Sequence, residues 1–189
     1  VPWKKNFDIE EAVEKAMIVF WEKGYEATSI VDLTEATGVQ RQSLYNAFGG
    51  KQEFFIRALE KFIAERQRAV LVDHEARGKP LESINSLFDD AVEGAGKRGC
   101  FLVNTALELQ SHGEEVRKLV SAASKAFRNS FVKLITQGQE LGEIPASIEP
   151  REAASGLLAG LYGIRVMGRG AVGKRVQRLA ANQTLRLVA

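Results

Sequence analysis

The sequence predicts an all-α protein of about nine helices. Apolar residues recur at three- and four-residue spacing along most of the 189 positions. No segment alternates as a half-buried strand does, and only four prolines interrupt the pattern. An apolar share of 45% with 26% charged residues is an ordinary globular balance, and the length suffices to bury one or two cores.

Asp8 is placed to cap a first helix, with Glu11 three residues on as in a capping box. Its apolar face runs through Ile9, Val13, Ala16, Met17, Phe20 and Trp21, and Gly24 ends it. A second start lies at Thr28-Ser29, where Asp32 follows Ser29 by three, and Ile30 and Leu33 turn inward before Gly38. A third short segment spans 40–48, with Leu44, Tyr45 and Phe48 at helical spacing and Leu44 and Tyr45 expected to turn partly inward. After Gly49-Gly50, Lys51 opens a longer helix through Phe54, Phe55, Ala58, Leu59, Phe62 and Ile63.

Beyond Arg77-Gly78-Lys79-Pro80 the pattern resumes with Leu81, Ile84, Leu87, Phe88 and Val92. Gly94, Gly96 and Gly99 make a loop before Cys100-Phe101-Leu102-Val103. A long helix is expected from about Glu114 to Leu141, through Leu119, Ala123, Phe127, Phe131 and Leu134. Pro145 and Pro150 frame a linker, with Pro150 suited to a first helical turn. Two helices, roughly Arg151–Met167 and Lys174–Val188, close the chain across a glycine-rich turn. Helices lengthen near residue 50, which divides the chain into domains 1–50 and 51–189.

Several function classes fall away. One cysteine, Cys100, allows no internal disulfide and points to a reducing, cytoplasmic setting. Two histidines, His74 and His112, stand too far from it in sequence to suggest a zinc cage. No run reaches eighteen apolar residues, so no membrane span is expected. The first twenty residues carry Lys4, Lys5, Asp8, Glu10, Glu11, Glu14 and Lys15, which does not suit a secretory signal, and the opening Val1 suggests a trimmed start. No Ser-His-Asp, paired-carboxylate or metal-ligand constellation stands out, so neither catalysis nor a cofactor is expected. The net charge of +2 is unevenly spread: residues 1–50 carry −3, residues 51–152 carry −1, and 153–189 carry +6 with no acid. Charge alone would place nucleic-acid binding at the C-terminus. The motifs place it elsewhere.

The first three helices match a helix-turn-helix unit in length and punctuation. Ser29 starts the second helix, Gly38 supplies a turn needing φ > 0, Val39 plugs the corner, and Leu44 falls six residues later on the inward face. Gln40, Arg41, Gln42, Ser43 and Asn46 then remain exposed, and each can donate to or accept from a base edge. By spacing alone, a small three-helix domain with a polar face fits as well.

Gly24-Tyr25-Glu26-Ala27-Thr28-Ser29-Ile30, then Gly38-Val39, then Leu44-Tyr45-Asn46-Ala47-Phe48 and Lys51, resembles the N-terminal signature of TetR-family transcriptional regulators. The resemblance covers roughly residues 7–60, and its separate anchors keep their mutual spacing. It implies a homodimeric repressor that binds double-stranded operator DNA, with a larger C-terminal domain that dimerises and takes a small effector. By position, Thr28, Tyr45 and Lys51 would grip phosphates, while Gln40, Arg41 and Gln42 would face bases or the groove rim. The sequence departs from the family pattern at Thr34, where a small Ala is usual, and at Ala47, where a His often precedes the Phe.

The resemblance also implies a cavity in the larger domain, for which Phe62, Phe88, Phe101, Phe127, Phe131 and Tyr162 are the aromatic candidates, although many such residues simply fill cores. Cys100 has apolar neighbours in sequence and is expected to be inert. Gly156, Gly160 and Gly163 with Ala153, Ala154 and Ala159 make a small-residue face, expected at a dimer interface across 151–188 or else in internal packing. Residues 168–174 spell both GxGxxG and GxxxxGK and suggest an alternative, a helical nucleotide-binding protein or enzyme. Against it, the preceding segment reads as helix, no acid follows Glu152, and Arg175 stands where a P-loop needs Ser or Thr. The segment is expected to be a turn.

Overall fold

In a computed structural model, residues 7–94 and 98–189 are described, with side chains of 70–77 excepted. Lys4, Lys5 and Gly96, together with the side chain of His74, lie outside the described residues. Nine α-helices and no strand occur among the described residues. They are α1 (Ile9–Lys23), α2 (Ile30–Thr37), α3 (Arg41–Phe48), α4 (Lys51–Arg77), α5 (Pro80–Gly94), α6 (Phe101–Leu107), α7 (Glu114–Glu140), α8 (Pro150–Arg169) and α9 (Lys174–Leu185). Short 3₁₀ turns follow α6 at Leu109–Ser111 and α9 at Arg186–Val188. No helix among the described residues is long and apolar enough to cross a membrane.

Local chemistry sets the ends of these helices. Asp8 Oδ1 accepts from the N–H groups of Glu10 (2.8 Å) and Glu11 (3.2 Å) and so caps α1. The Glu11 side chain does not complete a box; it pairs one turn on with Lys15 at 2.7 Å. At α2 the box does close: Asp32 N–H donates to Ser29 Oγ (3.1 Å), and Ser29 N–H donates to Asp32 Oδ2 (2.7 Å). Gly38 ends α2 at φ 71°, the left-handed conformation expected of the turn.

Two apolar cores hold the helices. The first joins Val13, Ala16, Phe20, Leu33, Val39 and Leu44 to Phe54, Phe55, Leu59 and Phe62 of α4, then to Phe101, Leu102, Val116 and Val120. It therefore crosses residue 50 without a break, because α4 buries its first half against α1 and reaches α6 and α7. The second core gathers Ile84, Phe88, Val92, Phe131, Leu134, Ile135, Leu157, Ile164 and Val188 from α5, α7, α8 and the C-terminus. α6 thus packs on α4, and α4 in turn packs on α3, which carries the candidate reading face.

Two expectations for the C-terminal helices change. Gly168 and Arg169 belong to α8, and only Gly170–Gly173 form the turn, with Ala171 at φ 60°. Lys174 of the GxxxxGK echo pairs with Glu93 of α5 at 2.5 Å, and Arg178 bonds Asp89 and Glu93. The small-residue face is mostly internal. A Cβ on Gly160 would overlap the Thr184 side chain, and one on Gly156 would overlap Leu187 of the same chain. These glycines let α9 and its 3₁₀ extension lie close against α8. Ala159 and Gly163 remain open, beside Val166 (41% exposed), Val176 (50%) and Leu179 (61%).

Candidate DNA-reading face and effector cavity

Helix α3 owes its exposure to having a single buried residue, Leu44, with Phe48 stacked on Phe54 of α4 at 4.0 Å between centroids. Gln40, its N-cap, has no capping bond, so its side chain is uncommitted. Gln40, Arg41, Gln42, Tyr45 and Asn46 are exposed on one short helix, and Ser43 is half-exposed. Gln42 Nε2 donates to Asn46 Oδ1 (3.0 Å), which preorders two amides one turn apart. The Arg41 guanidinium lies 5.5 Å from the Tyr45 ring centre. Tyr45 is turned partly inward as expected, 36% exposed, and its hydroxyl end is free to reach a backbone.

Thr28 and Lys51 are placed differently from what the resemblance implied. Thr28 is 1% exposed, and its hydroxyl donates to the Gly24 carbonyl at 2.6 Å, so it faces the fold rather than a phosphate. Lys51 Nζ donates to the carbonyls of Tyr25 (2.9 Å) and Thr28 (3.0 Å) and lies 4.3 Å from the Tyr25 ring centre. Two of its three N–H groups therefore brace the loop ahead of α2. The Lys23–Asp32 pair (2.5 Å) and the capping box fix the same entry, and together they hold the half-buried Asp32 carboxyl far below its ordinary value.

That loop also touches the larger domain. Glu108, just after α6, accepts from the Tyr25 N–H at 3.4 Å, and its carboxylate lies against Gly24. His112 is buried, its ring 4.7 Å from both Tyr25 and Phe55. Its Nε2 has no hydrogen-bond partner, and burial lowers its pKa below the ordinary histidine value. Sequence reasoning missed this junction because it joins residues 83 apart in the chain, a distance over which no local pattern operates.

A small cavity of about 50 Å³ lies at the other end of α6. Its walls are Phe62, Cys100, Leu102, Val103, Phe127, Leu161, Tyr162 and Arg165. Of the six aromatic candidates, Phe62, Phe127 and Tyr162 meet there, and the Tyr162 hydroxyl bonds Ser124 at 3.0 Å. The other three are core. Phe101 packs edge-on against Phe55 and Phe62, while Phe88 and Phe131 pack together in the second core at 6.5 Å. The remaining walls are aliphatic residues, Cys100 and an arginine, which a search for aromatics passes over.

Comparisons with known proteins agree with the fold, a helix-turn-helix domain followed by a larger helical one. Residues 12–58 match the model for bacterial regulatory proteins of the tetR family, and residues 80–179 match that for the tetracyclin repressor-like C-terminal domain. The chain is 30% identical to the HTH-type transcriptional repressor ComR of Escherichia coli over 97% of this chain and 90% of that one. It is 31% identical to the uncharacterized HTH-type transcriptional regulator YezE of Bacillus subtilis over 74% of each. Among solved structures, the TetR family transcriptional regulator CifR, as a cysteine mutant complexed with 26-bp double-strand operator DNA, superimposes with a TM-score of 0.84 at 27% identity over the whole of both chains.

Proposed function

The chain belongs to the TetR family of bacterial regulatory proteins, and on that premise we propose how this DNA-binding transcriptional regulator of repressor type is switched. It binds operator DNA as a homodimer, with α3 in the major groove. A small effector enters the cavity beside α6 and releases the DNA. It acts by binding, not by catalysis, and the turn at 170–173 takes no nucleotide.

One observation carries the switch. Cys100, Leu102 and Val103 line the cavity at the start of α6, and Glu108 and His112 hold Tyr25 just past its end. An occupant that displaces α6 must therefore move or strain the loop that positions α2 and α3. A dimer amplifies small rotations, because its two heads must match a major-groove repeat of about 34–36 Å. The ligand shifts the balance only by binding one state more tightly. The exposed apolar strip of Val166, Val176 and Leu179 supplies the subunit contact, and the +6 charge is moderated by Glu93 and Asp89, which take Lys174 and Arg178.

Filling the cavity from within tests this without knowing the effector. Val103→Phe, or Leu161→Phe should the first fail to fold, is expected to weaken binding to the chain's own upstream DNA at least tenfold. Unchanged DNA affinity in a folded variant would contradict the switch.

A further inference from the structure

His112 sits where the larger domain meets the loop ahead of α2. It closes the 3₁₀ turn after α6, its main-chain N–H donating to the Leu109 carbonyl at 3.3 Å. Its side chain is buried against two rings, that of Tyr25 on the loop, tilted by 44°, and that of Phe55 on α4, nearly parallel at 23°. Around it the polar groups of the junction are paired. Glu108 accepts from the Tyr25 N–H, and Lys51 donates to the Tyr25 and Thr28 carbonyls. The buried Nε2 of His112 has no partner.

A neutral imidazole suits this place, and an imidazolium does not. The charged ring carries N–H donors on both nitrogens, and a donor at the buried Nε2 would find no acceptor. The Tyr25 ring already takes the Lys51 ammonium at 4.3 Å, so a charged His112 would set a second cation against it. Burial opposes the proton most, and Arg117 near the start of α7 and Lys51 at the start of α4 add to that. Glu108 after α6 and Glu26 on the loop favour it, yet His112 still titrates below an ordinary histidine. Burial pushes the Tyr25 hydroxyl up, so it stays neutral throughout the range in question. Opening the junction would return the imidazole to water and to its ordinary proton affinity, so acid favours the open form.

Resting on the reading that this junction transmits the switch, we propose that His112 is a proton-sensitive latch. Its neutral ring holds the Tyr25 loop for operator binding, and its protonation releases the loop, so mild acid weakens DNA binding without an effector. The sign is diagnostic. Added positive charge by itself strengthens binding to a polyanion, and the latch predicts the reverse. His74 is the one other histidine in the chain that titrates in the same range.

The test titrates the full-length protein with rhodamine-labelled upstream DNA of its own, by anisotropy at pH 7.5 and 5.5 and constant ionic strength. One proton per subunit, taken up by a group of pKa about 6.5, allows up to about tenfold per subunit between these values. Wild type is expected to bind at least fivefold more weakly at pH 5.5. That fall should vanish in His112→Phe, which keeps a ring between Tyr25 and Phe55 and cannot titrate, or in His112→Gln should the first fail to fold. His74→Gln should keep it. Equal or tighter binding by the wild type at pH 5.5 overturns the proposal, and needs no variant to fold. So does a fall that persists in folded His112→Phe or disappears in folded His74→Gln. Val103→Phe separates this from the effector reading. Affinity that ignores Val103→Phe but falls with acid through His112 counts against the cavity route and leaves the latch standing. Affinity that responds to Val103→Phe and not to pH does the opposite.

Discussion

Replacing Lys51 by Met keeps the aliphatic stem and removes the charge that braces the loop ahead of α2. The wild-type Nζ makes two charge-assisted bonds to carbonyls, at 2.9 and 3.0 Å, and one cation–π contact at 4.3 Å. Because the site is only half-buried, each bond is placed at the low end, about 1 kcal/mol, and the ring contact at about 0.5–1 kcal/mol. The sum, about 2–3 kcal/mol, corresponds to a fall in Tm of roughly 5–10 °C for a chain of this length. The third N–H remains open to a phosphate, so the slope of log affinity against log salt should also fall by about 0.9 per subunit. Urea or thermal denaturation at fixed protomer concentration reads the first effect, and DNA titration at several salt concentrations reads the second. A stability loss below about 0.5 kcal/mol, whatever the slope does, would refute the bracing role.

Gly160→Leu should destabilise the subunit by about 1–3 kcal/mol through overlap with Thr184, as seen by denaturant midpoint. Leu179→Glu, on the exposed strip, should instead shift sedimentation toward monomer while leaving helical content intact. His112 is neutral when buried, and its folded pKa lies below the unfolded value of about 6.5. The unfolded chain therefore binds the extra proton first, so its contribution to stability is whole above about pH 6.5 and is lost as pH falls through the folded value. Glu108 and Glu26 oppose this shift, and Arg117 and Lys51 add to it. His112→Phe should flatten that part of the pH–stability curve and stay within about 1 kcal/mol of wild type at pH 7.5, since it also removes the unpartnered Nε2. Cys100→Ser should leave any effector response in place, and loss of the response would count against an inert thiol.

The local code was legible where one residue decides a backbone outcome. Ser29 with Asp32, the left-handed Gly38 and the single buried Leu44 placed α2 and α3 almost to the residue. Of the set expected to be exposed on α3, Gln40, Arg41, Gln42 and Asn46 are so, and Ser43 is half-exposed. What could not be read was long-range. The Thr28 hydroxyl and two of the three Lys51 N–H groups are committed inside the fold because Gly24, Tyr25 and Thr28 offer carbonyls there, a pairing that no local pattern announces. Phe88, Phe101 and Phe131 have the same spacing as the cavity-lining Phe62 and Phe127, and only the packing of α5 and α6 separates core from wall. Gly156 and Gly160 allow close approach of a helix in either reading, and the partner is α9 with its 3₁₀ extension in the same chain.

The central claim is that α3 reads sequence in operator DNA. The direct measurement compares wild type with Gln42→Ala on the chain's own upstream DNA and on random DNA of equal length, by fluorescence anisotropy at several salt concentrations. Base contacts confer preference and phosphate contacts confer affinity. Wild type should prefer the upstream DNA by about 10³-fold or more. Gln42→Ala should cost about 1–3 kcal/mol per half-site on that DNA and little on random DNA, with an unchanged salt slope. Equal losses on both DNAs, or no preference in the wild type, would contradict the account.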